Sequence, residues 1–349
     1  MTVTSQENTT SSKNISNNSF NEYRNLKYIQ GFNAHPKYKN LLEAATKRTD
    51  LTPSIGTEIE GLQLAQLTDD QLEDLLALAA ERGVVFFREQ NFSQEDEVAF
   101  GRRLGELHIH PFIPTPDSYP EIVIPSGAGK TSAYVEDLYR KGSWHTDISF
   151  EERPASFSIL QLKQVPRTGG DTLWSNSYAL YDKLSPEFKV FLEKLTAVHS
   201  GGVFIKLAEL SGKSLTREVP THTEHPLVRT NPLTNQKGLF VNAVFTKAIK
   251  GLTPVESDII LDFLFAHLQR SHEAQVRWTW TANSVAIWDN RSTQHNATFD
   301  YYPYLRYGER VTVVGERPYF DPNSTTEAEV KAPQIEALLE KLKLDQSAL

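Results

Sequence analysis

The spacing of apolar residues predicts two helices and a strand near the start of the folded region. "TDDQ" (68–71) is a capping-box pattern, and the apolar-periodic run "QLEDLLALAAER" follows it and ends at Gly83. "VVFFRE" from Val84 is rich in β-branched and aromatic residues, which predicts a buried strand. "SQEDEVAFGRRLGEL" from Ser93 predicts a second helix.

The pattern changes between about 121 and 315, where short apolar runs alternate with turn clusters. The runs are "EIVIP", "FSILQL", "DTLWS", "GLFVNAV", "VRWTWT", "SVAIWD" and "RVTVVGE". Many short strands separated by Pro and Gly are typical of a sandwich or barrel. Helices that begin at Ser185-Pro and Thr253-Pro interrupt them. The predicted fold class is therefore mostly β with flanking helices.

The ends and one internal stretch differ from this core. Residues 1–20 are dominated by Ser, Thr and Asn, which predicts a disordered tail. We expect order to begin between 28 and 51, within a single domain over 21–349. The stretch 201–238 is polar and is predicted to be irregular; it is too long for an ordinary connection, which favours a lid. "APQIEALLEKLK" predicts a terminal amphipathic helix.

Composition excludes several classes of protein. The 349 residues are 39% hydrophobic and 10% aromatic, enough for a sizeable core, and the net charge of −8 argues against nucleic-acid binding. No stretch approaches the roughly 18 apolar residues of a membrane span, so no membrane partner is expected. The absence of cysteine excludes disulfides, thiolate nucleophiles and cysteine-held metals. Without a secretory signal pattern, we expect a cytoplasmic protein.

Candidate metal ligands lie in "SWHTDISF" (143–150), which has the residue types of a β-strand. Residues two apart on a strand point to the same side, so His145 and Asp147 would converge. His295, just after the predicted strand "SVAIWD", is the best third ligand. Two His and one carboxylate with open positions form the facial triad of non-heme Fe(II) oxygenases. If His145 and Asp147 are considered without a third ligand, the alternative interpretation is a surface strand with a polar edge.

Two arginines on the last predicted strand add a second kind of site. Arg306 and Arg310 are four apart on "YLRYGERVTVVGE", so both guanidinium groups face one side. Two cations in a packed β core each need an anion. The planar fork of arginine binds a carboxylate or sulfonate through two hydrogen bonds.

The motifs resemble the taurine dioxygenase family of Fe(II)/2-oxoglutarate-dependent oxygenases. They are "GELHIHP", "WHTDISFEERP", "TGGDTLWSN", "LFVNAVFT", "QVRWTWTANSVAIWDNRSTQHNATFDY" and "RYGERVTVVGERPYF", in family order over about 56–320. The resemblance implies a double-stranded β-helix (jelly-roll) core. It implies Fe(II) held by His145, Asp147 and His295, and 2-oxoglutarate held by Arg306 and Thr172. It also implies dioxygen as the second co-substrate.

The resemblance assigns the substrate site less completely. His110, Arg310 and the backbone N–H of Ile148 stand where the family binds the sulfonate of taurine. Ile113 stands where a tyrosine is expected and Lys141 where an asparagine is expected. These two departures keep the preference for a small anionic organic substrate but disfavour taurine itself, because its ammonium group would meet an apolar side chain and a like charge.

The function that this resemblance implies is hydroxylation of the carbon next to the anionic group of a small sulfonate, which releases sulfite and an aldehyde. Alternatives are the same chemistry on an alkyl sulfate ester or an aryloxyalkanoate-type carboxylate, a zinc hydrolase, and a non-catalytic metal-binding jelly-roll protein. Arg306 disfavours the last, because a metal store needs no second carboxylate clamp. The sequence is also compatible with a homo-oligomer.

The remaining histidines have simpler interpretations. His108 and His110 could form a second metal pair, although a packed core histidine is the simpler interpretation of His108. His199, His267 and His272 are expected to be structural or solvated. His222 and His225 fall in the predicted lid, where contact with substrate is the alternative to the simpler interpretation of a solvated loop. The tryptophans at 278, 280 and 288 are expected in the core.

Overall fold

The structure is a computed structural model that describes residues 36–125 and 143–347. The predicted disordered tail over 1–20 and the predicted substrate residue Lys141 lie outside the described residues. Among the described residues, no helix combines the length and the apolar character needed to cross a bilayer.

Eight α-helices are present in the described ranges. They are α1 Lys39–Ala44, α2 Asp69–Arg82, α3 Gln94–Leu104, α4 Ser177–Asp182, α5 Pro186–Leu192, α6 Gly202–Ser211, α7 Pro254–Arg270 and α8 Glu327–Ser347. The predicted capping box before α2 is confirmed, since the Thr68 side chain accepts from the Gln71 N–H and the Gln71 side chain bonds back. Ser93 and Thr253 form the same box before α3 and α7.

Fourteen strands are present in the described ranges. They are β1 Lys47–Asp50, β2 Thr57–Glu60, β3 Val84–Phe87, β4 Ala155–Gln164, β5 Thr172–Asn176, β6 Thr196–His199, β7 Thr223–Pro226, β8 Val228–Thr230, β9 Lys237–Leu239, β10 Thr246–Ile249, β11 Gln275–Trp278, β12 Ser284–Asp289, β13 Thr293–Ala297 and β14 Tyr307–Val314. The large sheet has the order β1-β2-β3-β12-β4-β14, and the small sheet has the order β11-β5-β13. A third sheet has the order β10-β6-β7, and β8 pairs with β9.

The large and small sheets share one apolar core. Phe86 of the large sheet contacts Trp174 of the small sheet, with ring centroids 5.2 Å apart. Trp174 also contacts Trp288 of the large sheet, with centroids 5.8 Å apart. Both tryptophans are fully buried. The prediction of a mostly β fold with flanking helices is confirmed, and the tryptophans at 278, 280 and 288 are core residues as expected.

Three local predictions are wrong. "SWHTDISF" is not a strand: His145 makes a single bridge to His295, and a turn follows over 147–150. "EIVIP" is also not a strand, since Val123 forms one isolated bridge to Arg310. The stretch 201–238 is not irregular, because it contains α6, β7 and β8 and ends within β9. Its movement as a lid stays a prediction.

Candidate active site

His145 and His295 are brought together by one backbone bridge. The His145 N–H donates to the His295 carbonyl at 3.0 Å, and the His295 N–H donates to the His145 carbonyl at 2.8 Å. β13 supplies His295, while the chain that enters the turn supplies His145. The two rings therefore lie on the same side of the bridge, with centroids 4.2 Å apart.

Asp147 completes the cluster from the turn that follows. Its Oδ1 is 3.9 Å from the Nε2 of His145 and 3.9 Å from the Nε2 of His295. One ligand atom from each of the three residues lies within 4.8 Å of the others. The structure thus brings together the three predicted metal ligands, although a turn and not a strand positions the carboxylate.

Neighbouring groups orient these side chains. The Nδ1 of His145 lies 2.8 Å from the Ser143 carbonyl, so this nitrogen carries the proton and Nε2 presents its lone pair toward Asp147. Ser158 donates to the Oδ2 of Asp147 at 2.7 Å, and Asn290 accepts from the Asp147 N–H at 3.1 Å. Such supporting bonds are typical of metal sites, where they fix the tautomer and the ring direction.

The protonation states suit a divalent cation. Burial lowers the pKa of His145 and puts the pKa of His295 well below its usual value. Burial acts to raise the pKa of Asp147, but the Arg310 guanidinium and both imidazoles outweigh it and lower this pKa to about 2. At neutral pH the site therefore offers two neutral imidazoles and one carboxylate, which are the ligating forms. The residues present fit Fe(II).

Arg310 faces the same cluster. Its Nη1 is 2.7 Å from the Oδ1 of Asp147, and its buried Nε has no hydrogen-bond partner among the described residues. Its backbone is held on one side by β4 and on the other by Val123, through two hydrogen bonds of 2.9 Å. Arg310 therefore presents a fixed positive charge with spare donor capacity at the edge of the metal cluster.

Arg306 has a different environment. Its Nε donates to the Gly170 carbonyl at 3.1 Å, and one terminal nitrogen donates to the hydroxyl of Thr172 at 3.2 Å. Trp280 donates to the same hydroxyl at 3.0 Å. Burial lowers the pKa of Arg306 to about 10, so it remains charged at neutral pH. No acidic side chain of the described residues forms an ion pair with it, which leaves a buried cation ready for a carboxylate.

His110 lies beside Arg310 as a neutral ring. Its Nδ1 accepts from the backbone N–H groups of Phe112 and Ile113 at 3.1 and 3.0 Å, so its Nε2 carries the proton. Burial, together with His108 and Arg310, lowers the pKa of His110 to about 2. His110 can therefore donate one hydrogen bond but brings no charge. The structure places Ile113 next to this ring through its backbone.

Ile148 has an uncommon backbone conformation. Its φ is +46°, in the left-handed region that β-branched residues rarely adopt. The side chain is buried, and the N–H has no hydrogen-bond partner among the described residues. This free N–H follows Asp147 directly. Strain of this kind is concentrated at functional sites.

Several site residues had no signal in the sequence. Ser158 and Asn290 support Asp147 from 11 and 143 residues away, and they also bond to each other at 2.9 Å. Phe204 contacts His110 with centroids 4.7 Å apart, and Phe245 contacts His145 at 6.0 Å. The two phenylalanine rings also contact each other at 5.9 Å. The site therefore has an aromatic wall between its metal ligands and His110.

The alternative interpretation of His108 and His110 as a second metal pair is not supported within the described part of the chain. His108 contacts a carboxylate and a guanidinium group, since its Nε2 lies 3.2 Å from Glu151 and 2.8 Å from Arg217. Neither His108 nor His110 belongs to a group of three ligating side chains among the described residues. His108 is a buried structural histidine, as its simpler interpretation held.

Known proteins resemble this chain over most of its length. Residues 47–312 match the family described as taurine catabolism dioxygenase TauD, TfdA. An alpha-ketoglutarate-dependent sulfonate dioxygenase of Saccharomyces cerevisiae is 38% identical over 278 residues, which are 78% of this chain and 67% of that protein. An alpha-ketoglutarate-dependent sulfate ester dioxygenase of Pseudomonas putida is 36% identical over 275 residues, 76% and 88% of the two chains. The crystal structure of a taurine dioxygenase from Burkholderia xenovorans superposes with a TM-score of 0.66 at 35% identity and covers 80% of this chain and 92% of that one.

Proposed function

The chain belongs to the taurine catabolism dioxygenase TauD, TfdA family, and from that premise we propose that it is an Fe(II)- and 2-oxoglutarate-dependent dioxygenase of small organosulfonates. The proposed core is a double-stranded β-helix within one domain over 21–349, and 201–238 is proposed to act as its lid. The two-sheet packing described above supports the first of these proposals.

His145, Asp147 and His295 are proposed to hold Fe(II), as their converging ligand atoms suggest. When bound, the metal supplies the activation of dioxygen that is coupled to decarboxylation of 2-oxoglutarate. Ser143, Ser158 and the other supporting groups keep the ligands in the required tautomer and direction. The protein contributes geometry and electrostatics, while the co-substrates supply the oxidising equivalents.

The single observation that carries the proposal is the buried Arg306, which forms no ion pair within the described part of the chain. A guanidinium group in this environment is costly unless an anion binds it. Its hydrogen bond to Thr172 fixes the direction of the fork and leaves donors for the distal carboxylate of 2-oxoglutarate. A metal-storage protein or a zinc hydrolase has no need of this second carboxylate receptor.

The substrate anion is proposed to bind between Arg310, the Nε2–H of His110 and the N–H of Ile148. Arg310 supplies charge and an Nε–H that has no partner among the described residues. The His110 Nε2–H and the Ile148 N–H supply neutral donors. Phe204 and Phe245 give the adjacent wall an apolar character. With Ile113 and Lys141 in place of polar groups, an alkyl chain without an amino group is favoured over taurine.

The reaction is balanced by the two co-substrates. One oxygen atom of dioxygen enters succinate as 2-oxoglutarate loses CO2, and the other is inserted into the C–H bond next to the sulfonate. The hydroxylated carbon then breaks its bond to sulfur, which yields an aldehyde and sulfite. An alkyl sulfate ester is the second candidate, favoured by the Pseudomonas putida relative; oxidation of its O–CH2 carbon would release sulfate.

Products measured over a substrate panel test this proposal. We expect an alkyl sulfonate to give equal amounts of succinate and sulfite, with a higher kcat/KM than taurine in direct competition. Sulfate from a matched alkyl sulfate, or a phenol from an aryloxyalkanoate, would identify those substrates instead. A highest kcat/KM for taurine would contradict the interpretation of Ile113 and Lys141. Product formation without oxygen and 2-oxoglutarate would indicate a hydrolase.

A further inference from the structure

Two side chains of the short strand β7 bind the backbone of the turn that carries Asp147. The Nε2 of His225 lies 3.1 Å from the Ser149 carbonyl and 3.0 Å from the Glu151 carbonyl. The hydroxyl of Thr223 donates to the intervening Phe150 carbonyl at 2.6 Å. Three consecutive carbonyls of the turn are therefore bound by β7. His225 is buried, so its expected place in a solvated loop is wrong.

Strand geometry explains this convergence. Thr223 and His225 are two apart on β7, so both side chains point to the same face. β7 pairs with β6, where His199 lies opposite Thr223. The Nδ1 of His199 is 3.1 Å from the Ser149 hydroxyl, which also accepts from Asn242 at 2.9 Å. One face of the third sheet thus holds both the backbone and a side chain of the turn.

This turn contains the strained residue of the site. Ile148 has a φ of +46°, a conformation that is unfavourable for an isoleucine unless surrounding contacts determine it. The hydrogen bonds to the next three carbonyls supply such contacts. They hold the Ser149, Phe150 and Glu151 carbonyls in place and so restrict rotation of the chain at Ile148, which limits the direction of its N–H and of the preceding Asp147.

We propose that His225 and Thr223 are positioning residues that hold the 147–151 turn, and through it Asp147 and the Ile148 N–H, in the geometry that binds metal and substrate anion. Neither side chain is proposed to touch substrate. The expected change in the KM for a sulfonate rests on the proposed function. The expected change in metal affinity rests only on the cluster of His145, Asp147 and His295.

The location of the turn predicts a selective defect. Asp147 and Ile148 belong to the turn, whereas Arg306 and the Thr172 hydroxyl are held by β5 and the start of β14. Loosening the turn should therefore weaken metal and sulfonate binding and leave 2-oxoglutarate binding unchanged. A general loss of stability would instead affect all three.

His225→Phe, His225→Gln and Thr223→Val form the test set. Phe keeps a ring but removes the donor, Gln can restore a donor to the two carbonyls, and Val keeps the shape of Thr without its hydroxyl. His222→Phe is the matched control, because His222 is an exposed histidine three residues away. Affinity for Co(II) alone is measured by calorimetry on the purified full chain. KM is then measured for an alkyl sulfonate and for 2-oxoglutarate.

We expect His225→Phe and Thr223→Val to bind Co(II) about tenfold more weakly, as loss of a supporting bond at a metal site generally does. The sulfonate KM should rise by a similar factor without a change in the 2-oxoglutarate KM. His225→Gln should recover most of the Co(II) affinity, and His222→Phe should match the wild type.

Wild-type Co(II) affinity in both His225→Phe and Thr223→Val would overturn the positioning role. So would a uniform loss in Co(II), sulfonate and 2-oxoglutarate binding that His225→Gln does not restore. If the wild type turns over no sulfonate, the proposed function fails, while the Co(II) comparison still decides the positioning role by itself.

Discussion

The two buried arginines of the site differ in what they bind. Arg310 lies 2.7 Å from the Asp147 carboxylate, whereas the hydrogen bonds of Arg306 within the described residues go to the neutral oxygens of Gly170 and Thr172. A buried guanidinium group without an acid is unfavourable unless a ligand supplies one. This contrast supports the proposal that Arg306 binds a co-substrate carboxylate, while Arg310 lies on the metal side of the site.

Arg306→Ala should raise the KM for 2-oxoglutarate about ten- to a hundred-fold, because a hydrogen bond to a charged group contributes roughly 1.5–3 kcal/mol. Arg306→Lys keeps the charge but loses the fork, so a smaller increase is expected. Steady-state kinetics with 2-oxoglutarate as the varied substrate measures both. Arg102→Ala, at an exposed position on α3, is the control. An unchanged KM in Arg306→Ala would mean that another cation binds the co-substrate.

Residue types and spacing predict the three candidate metal ligands that the structure brings together, but not how they converge. The sequence pattern predicts one strand for His145 and Asp147, where alternation would place them on one face. In the structure a bridge places His145, and a turn with a left-handed Ile148 places Asp147. An isoleucine disfavours a positive φ locally, so no local sequence pattern predicts this conformation. The supporting Ser158 was also beyond prediction, because no local pattern links it to Asp147.

At the scale of elements, local signals succeeded where the determinants are local. The helix starts at Thr68, Ser93 and Thr253 follow from capping chemistry within four residues, and the structure has all three. The prediction of an irregular stretch over 201–238 is wrong for the opposite reason. Its strands are three or four residues long, and β7 is held by pairing with the distant β6. Short strands carry little periodicity, so pairing decides them.

The contact of α3 with the large sheet contains a buried acid that should make stability depend on pH. Burial and the neighbouring Glu309 raise the pKa of Glu97 from 4.5 to about 8. Below the lower value Glu97 is protonated in both folded and unfolded chains. Between the two values only the unfolded chain ionises, so this contribution to stability is lost as pH rises from about 4.5 to about 8.

Glu97→Gln should remove this loss. Relative to the wild type, its free energy of unfolding should improve steadily between pH 5 and 8, by at most about 1.4 kcal/mol per pH unit. Urea unfolding at several pH values measures the difference. Glu95→Gln, at an exposed position on α3, should follow the wild type. A constant difference between Glu97→Gln and the wild type over this range would contradict the raised pKa.

At the scale of the whole molecule, the site lies where the two main sheets meet. His295 comes from the small sheet, and Arg310 and Ser158 come from the large sheet. The fold class followed from the many short apolar runs, and the resemblance to the taurine dioxygenase family is confirmed by the family match over 47–312. The meeting of the sheets had no signal in any single segment, because it depends on packing between strands far apart in sequence.

The most direct test of the central claim is the fate of labelled dioxygen. The purified chain is supplied with Fe(II), 2-oxoglutarate, a simple alkyl sulfonate and 18O2, and succinate is analysed by mass spectrometry. We predict one 18O atom in each succinate and an equal amount of sulfite. In His295→Ala, we predict that Fe(II) binding is abolished and that both products are lost. Unlabelled succinate, or undiminished product formation in His295→Ala, would contradict a dioxygenase that works through His145, Asp147 and His295.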